Sequence, residues 1–139
     1  MIILDTNVIS ELSRPKPAPD VIEWLDRQPR SSIWTTSITV FEVRFGLQLL
    51  PKSKRRLLLT SVFEGVIESM EHRIVSFDAA AASETATLMT SRKQRGKPGD
   101  LRDSMIAGIV LAHHATLATR NTSHFEDLSF EVVNPWIVR

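Results

Sequence analysis

Cysteine is absent from this chain of 139 residues. Its absence excludes thiolate chemistry and fits a reducing compartment. A one-sided charge is also missing: 17 Lys and Arg stand against 16 Asp and Glu, a formal net charge of +1, which points to neither nucleic acid nor a membrane surface. No apolar run approaches the roughly 18 residues that a membrane span needs. The N-terminus lacks the basic segment and the apolar stretch of a secretory signal. Internal repeats and low-complexity segments are not evident. The expectation is a soluble, cytoplasmic protein without a membrane partner, a single domain over residues 1–139. That length buries a real core without disulfides or a structural metal.

What is present alternates in type. MIIL reads as a short buried strand and residues 7–12 as a turn or two of helix, broken by RPKPAP. Asp20 is placed to cap a helix through Val21, Trp24 and Leu25. Residues 33–36 read as a strand, and Ser37 as the cap of a long helix to Leu50 that Pro51 ends. A helix over 52–69, a strand over 73–77 and an Ala-rich helix over 78–94 follow. After the RGKPG loop, Asp100 opens a helix to His114, and residues 116–119 and 130–133 read as the last strands. Strands alternating with helices predict an α/β domain with a mostly parallel sheet.

Three acids stand in apolar surroundings. Asp5 ends the first strand, on the sheet edge where ligand sites of parallel sheets gather. Capping of the next helix by Asp5 or Asn7 is an equal alternative. Glu42, in SITVFEVRFGLQLL, shares a helix face with Ile38, Phe45 and Leu49 at about 100° per residue. A carboxylate on such a stripe is costly unless something satisfies it, and the alternatives are an ordinary solvated helix Glu or one paired with a buried Arg. Asp103, in GDLRDSMIAGIVLAHH, shares a face with Ile106, Ala107 and Val110. It also falls three residues after Asp100, a capping-box-like position where the helix dipole favours negative charge. Together, three carboxylates in one cleft would repel and raise one another's pKa. A hard cation relieves that, and Mg2+ takes oxygen ligands while keeping several waters. Such a centre activates water for in-line attack on a phosphodiester.

The stretches LDTNVIS, ITVFEVRFGL, RDSMIAGIVLAHHATLATRNTSHF and VVNPW, in this order and spacing, resemble a PIN-domain protein of the VapC-like ribonuclease toxins found in bacterial type II toxin–antitoxin modules. The resemblance covers nearly the whole chain. It implies a three-layer α/β/α sandwich around the parallel sheet and an endoribonuclease dependent on Mg2+ or Mn2+. Asp5, Glu42 and Asp103 match the family's first three acids. Asp5 and Asp103 would be the main metal ligands, with Glu42 binding the metal directly or through water, or holding the nucleophilic water. The chain departs from the family at TRNTSHF, where a fourth carboxylate is often found. Asn121 holds that place as a candidate catalytic residue: it can accept a hydrogen bond from a metal-bound water but adds no charge, which implies one well-occupied metal. A turn residue after a strand is an equal alternative for it. The resemblance further implies RNA as substrate, a small cognate antitoxin that blocks the cleft, a homodimer or a larger assembly with the antitoxin, and DNA contacts only through that antitoxin. Two alternatives remain, a housekeeping PIN nuclease of RNA processing and a non-catalytic PIN-fold module.

Other polar residues read as structural. His124 is taken as a surface or packing histidine, and His113 and His114 face different directions on one helix. KSKRR (52–56) and SRKQRGK (91–97) read as solvated basic faces, the second a candidate for phosphate contacts beside the loop before Asp103. Arg102, next to Asp103, is placed to meet phosphate or an antitoxin carboxylate. Trp24, Trp34 and Trp136 read as packing residues.

Overall fold

The first strand of the computed structural model, which describes residues 1–137, lies at the centre of the sheet. This strand, β1 (Ile2–Leu4), pairs on one side with β2 (Ile33–Thr36) and on the other with β4 (Thr116–Ala118). β3 (Ile74–Val75) extends the β2 edge and β5 (Val132–Val133) the β4 edge, giving the order β3-β2-β1-β4-β5. Every pairing is parallel. The sheet is therefore fully parallel where a mostly parallel one was expected.

Alternation along the strands sends side chains to two cores. Ile3 and Leu117 face one, built with α5 (Ala79–Gln94) and α6 (Leu101–His113) through Leu88, Ile106, Ile109 and Val110. Leu4 and Ala118 face the other, built with α1 (Thr6–Leu12), α2 (Pro19–Asp26) and α4 (Lys54–Met70) through Val8, Ile9, Val21 and Phe63. Helix α3 (Ser37–Leu49) sends Ile38 into the first core and Val40, Val43 and Leu47 against the second. This is the α/β/α sandwich that the resemblance implied. Trp34 packs against the first core, and Trp24 and Trp136 against the second, as packing residues should.

Helices α5 and α6 meet at Gly108, where a Cβ would collide with the Thr85 hydroxyl and come within 2.7 Å of the Ala81 carbonyl oxygen. Both are held in place, since Thr85 donates to that same carbonyl. Gly108→Ala is expected to cost about 1–3 kcal/mol by overpacking. A chemical denaturation curve against wild type checks it, and an unchanged midpoint would mean the helices separate freely.

Several caps differ from expectation. Helix α2 starts after Ala18 with Pro19 in its first turn, so Asp20 sits inside the turn and does not cap it. Pro at the first helical position has no orphan N–H and fixes φ already, which moves the start upstream. Thr36, not Ser37, caps α3 by accepting from the Thr39 N–H, while Ser37 accepts from the Phe77 N–H across the fold. Ser53 caps α4, which begins two residues later than expected. Asp100 caps α6 as expected, while Asp78, expected as the first residue of α5, is its cap. Strands β3 and β5 are two residues each, shorter than the apolar runs that predicted them.

Candidate active site

The chain reverses direction of travel at β1: β2 and β3 lie to one side, β4 and β5 to the other. Crevices form at such switch points beyond the carboxyl ends of the strands. Asp5 follows β1 directly and is 2% exposed. Its carboxylate is held in one orientation. Oδ1 accepts from the Thr6 N–H at 2.8 Å, and Oδ2 accepts from the Thr119 hydroxyl at 2.7 Å and the Asn7 amide at 3.3 Å. Asp5 is thus the N-cap of α1, as the capping alternative expected, and its carboxylate stands at the carboxyl edge of the sheet. Thr119 follows β4 and is fully buried, and Asn7 also donates to its hydroxyl at 3.1 Å.

Glu42 reaches the same crevice from α3. Its Oε1 accepts from the Thr6 hydroxyl at 2.8 Å, and its Oε2 lies 3.6 Å from Arg102. The Thr6 hydroxyl also lies 3.0 Å from that of Thr39. The apolar stripe that drew attention to Glu42 is only partly one: Ile38 is buried, but Phe45 and Leu49 are 46% and 69% exposed. Asp103 enters from the first turn of α6, where its backbone N–H donates to the Asp100 cap. Its side chain does not close a capping box. Oδ2 stands 2.9 Å from His124 Nδ1 instead. His124 lies on a short 3-10 helix, Thr122–Phe125, and is a surface histidine as expected, exposed but in contact with Asp103. Asn121 precedes that helix with its side chain exposed, and its backbone N–H donates to the Thr119 hydroxyl. It touches the site through its main chain.

The three acids feel one another. Burial pushes the Asp5 carboxyl up to about 6, the Thr119 hydroxyl and Thr6 N–H oppose this, and Asp103 and Glu42 add to it by repulsion. Burial likewise raises Glu42, against the Thr6 hydroxyl and Arg102, with Asp103 and Asp100 adding to the rise. Two concavities flank this cluster. A groove of about 880 Å³ runs from Thr6, Asn7 and Glu42 past Arg55 and Phe63 to Arg120 and Trp136. A cleft of about 460 Å³ lies on the other side, between Lys97, Asp103, Ser123 and His124. Arg120 lies over the Trp136 ring at 5.0 Å.

A model of the PIN domain matches residues 2–131. The chain belongs to the PIN-domain family. Among its PIN relatives, the VapC ribonuclease Y4jK of Sinorhizobium fredii is 41% identical over 137 residues, covering 98% of each chain. The toxin FitB of Neisseria gonorrhoeae is 37% identical over 137 residues, covering 98% of this chain and 99% of FitB. Among solved structures, FitAB bound to the IR36 DNA fragment superposes with a TM-score of 0.90 at 36% identity, over 100% of this chain and 98% of that one.

The oxygen-only donor set of this PIN site suits a hard divalent cation. Among the described residues no group of three His, Asp or Glu side chains is already arranged to hold a metal ion. Mg2+ does not need such a cage, because it binds through one or two carboxylates and keeps its waters. The mutual repulsion at Asp5 is the charge that a cation would relieve. Sequence reasoning did not single out Thr6 or Thr119 as partners of the acids. Thr119 and Asp5 are far apart in the chain, and only the β1–β4 pairing brings them together.

Proposed function

We propose that this PIN domain is the ribonuclease toxin of a toxin–antitoxin pair, hydrolysing RNA phosphodiester bonds with Mg2+ or with Mn2+ in its place. The observation that carries this is the buried, oriented Asp5 whose carboxyl is pushed up to about 6, in part by Asp103 and Glu42, on the switch-point edge of the sheet. The similarity to VapC ribonuclease Y4jK and toxin FitB along nearly the whole chain supports it.

Asp5 and Asp103 are the residues to hold the ion, with Glu42 beside them. When bound, the ion supplies neutralisation of the phosphate oxygens and activation of a water for in-line attack. The protein's own part is placement. The Thr119 and Thr6 donors lock the Asp5 carboxylate, and the Thr6 hydroxyl leaves Glu42 Oε2 free to turn from Arg102 toward a water. Glu42, raised by burial, is suited to take that water's proton. Arg102 and Lys97 border the acids and are available to backbone phosphates, where cations supply much of the affinity. Asn121 contributes no charge, consistent with one tightly held ion.

The partner is a small antitoxin that covers this cleft, and DNA is contacted through it, as the DNA-bound FitAB structure suggests by similarity. A cation from the antitoxin placed near the acids is favoured electrostatically. A homodimer is supported by an exposed apolar row on α3 and α4: Phe41, Phe45, Leu49, Leu57 and Leu58, with Phe41 and Phe45 stacked at 5.8 Å. Among the described residues no helix is long and apolar enough to cross a membrane, in keeping with a cytoplasmic site of action. Co-expression with the product of the adjacent small reading frame is expected to give a co-purifying complex and to relieve the growth arrest caused by the chain alone. Harmless expression of the chain alone, with no complex, would leave a PIN fold without a toxin role.

A further inference from the structure

Arg92 belongs to the basic run SRKQRGK, yet it is 4% exposed. A buried guanidinium is costly unless its donors are matched. Here they are matched by two segments that flank the acids. Nε and Nη2 donate to the two oxygens of Asp127 at 2.9 and 3.0 Å, a forked pair. Nη2 also donates to the His124 carbonyl at 2.9 Å, and Nη1 to the Ser104 hydroxyl at 3.2 Å. Ser104 follows Asp103 and donates in turn to the Asp100 carbonyl at 2.8 Å. One side chain on α5 therefore grips both the first turn of α6, which carries Asp103, and the 3-10 helix that carries His124. The side chains of Asp103 and His124 meet each other directly.

Gly99 is fitted to the same clasp. A Cβ there would come within 2.7 Å of Arg92 Nη1, and a guanidinium held by this many hydrogen bonds cannot swing aside at little cost. The loop also closes onto α5, with the Lys97 N–H donating to the Arg92 carbonyl at 2.9 Å. Buried ion pairs are poor stabilisers relative to apolar packing, so stability alone is a weak reason for one here. Arg95 adds a second, exposed contact to Asp127 at 3.1 Å.

We infer that Arg92, with Asp127 as its counter-ion and Gly99 as the gap it needs, is a positioning residue that sets the Asp103–His124 pair against Asp5. The inference rests on the reading of Asp103 as a working acid of the nuclease. It acts through Asp103 and His124, since Arg92 bonds the Ser104 hydroxyl and the His124 carbonyl beside them and not their side chains. His124 then serves to fix the orientation of the Asp103 carboxylate through its contact with Oδ2.

The test uses Arg92→Lys, which keeps the charge but loses the fork, with Asp127→Asn and Gly99→Ala as milder variants should Arg92→Lys fold poorly. Two readouts are taken: His124 ring resonances by NMR in metal-free protein, and Mn2+ affinity by titration. The variants are expected to shift the His124 resonances and to weaken Mn2+ binding about 10- to 100-fold, as loss of outer-shell partners does. RNA cleavage should fall in kcat with KM little changed. In an Asp103→Asn background the same variants should cost no further Mn2+ affinity. His124 resonances and Mn2+ affinity equal to wild type, with only the melting temperature lowered, would overturn the inference and leave Arg92 a brace. If wild type itself neither binds Mn2+ nor cleaves RNA, the nuclease reading falls, and the His124 resonances still decide whether the clasp positions that ring.

Discussion

Asp5→Asn is expected to fold and to lose RNA cleavage by orders of magnitude. Asn keeps the N-cap role, because Asn and Asp are equally good caps. It also keeps an oxygen for the Thr119 hydroxyl or the Thr6 N–H. What it loses is the negative charge that would hold a cation. Asp103→Asn and Glu42→Gln should be similarly damaging, and the Asp5→Asn, Asp103→Asn double variant little worse than either alone. Groups that place one ion and one water act as a unit, so their losses do not add. Initial rates on a long single-stranded RNA, with circular dichroism to confirm folding, measure this. A folded Asp5→Asn protein that cleaves at the wild-type rate would remove the carboxylate from the mechanism.

The second large effect is on stability without metal. Below the unfolded value of 3.8, Asp5 is protonated in both states and costs nothing. Between 3.8 and about 6 the unfolded chain ionises while the folded protein retains the proton, so stability falls as pH rises. Above about 6 the full penalty is present, on the order of 3 kcal/mol at about 1.4 kcal/mol per pKa unit. Glu42, raised by the same burial, acts in the same direction. Metal-free wild type should therefore be less stable at pH 7.5 than Asp5→Asn, with the gap closing toward pH 4. Mg2+ should stabilise wild type by mass action and the variant much less. Thermal melts of both proteins in chelator and in Mg2+, at both pH values, check every part. A variant that melts lower at pH 7.5, with equal Mg2+ gains in both proteins, would make Asp5 a cap and nothing more.

The α/β alternation was legible because short apolar runs and capped amphipathic stretches differ in length and period. Local competition between neighbours was not. Thr36 and Ser37 are both good caps, and only the position of Phe77, on a distant strand end, takes Ser37 away from the helix. The three acids were singled out for reasons of unequal quality. Asp5 is buried, as an acid closing an apolar strand should be. Glu42 was reached through a stripe whose outer members, Phe45 and Leu49, face solvent. The donors that orient Asp5 and Glu42 could not be read at all, since threonine is common and its partner is set by strand pairing. Arg92 was misread for the same reason: its burial depends on Asp127, 35 residues further along the chain.

RNA cleavage by purified, antitoxin-free protein, after exhaustive chelation and then titration with Mg2+, tests the proposed metal-dependent cleavage most directly. Cleavage should be absent in chelator and return saturably with Mg2+. Undiminished cleavage in chelator, abolished by neither Asp5→Asn nor Asp103→Asn, would contradict the account.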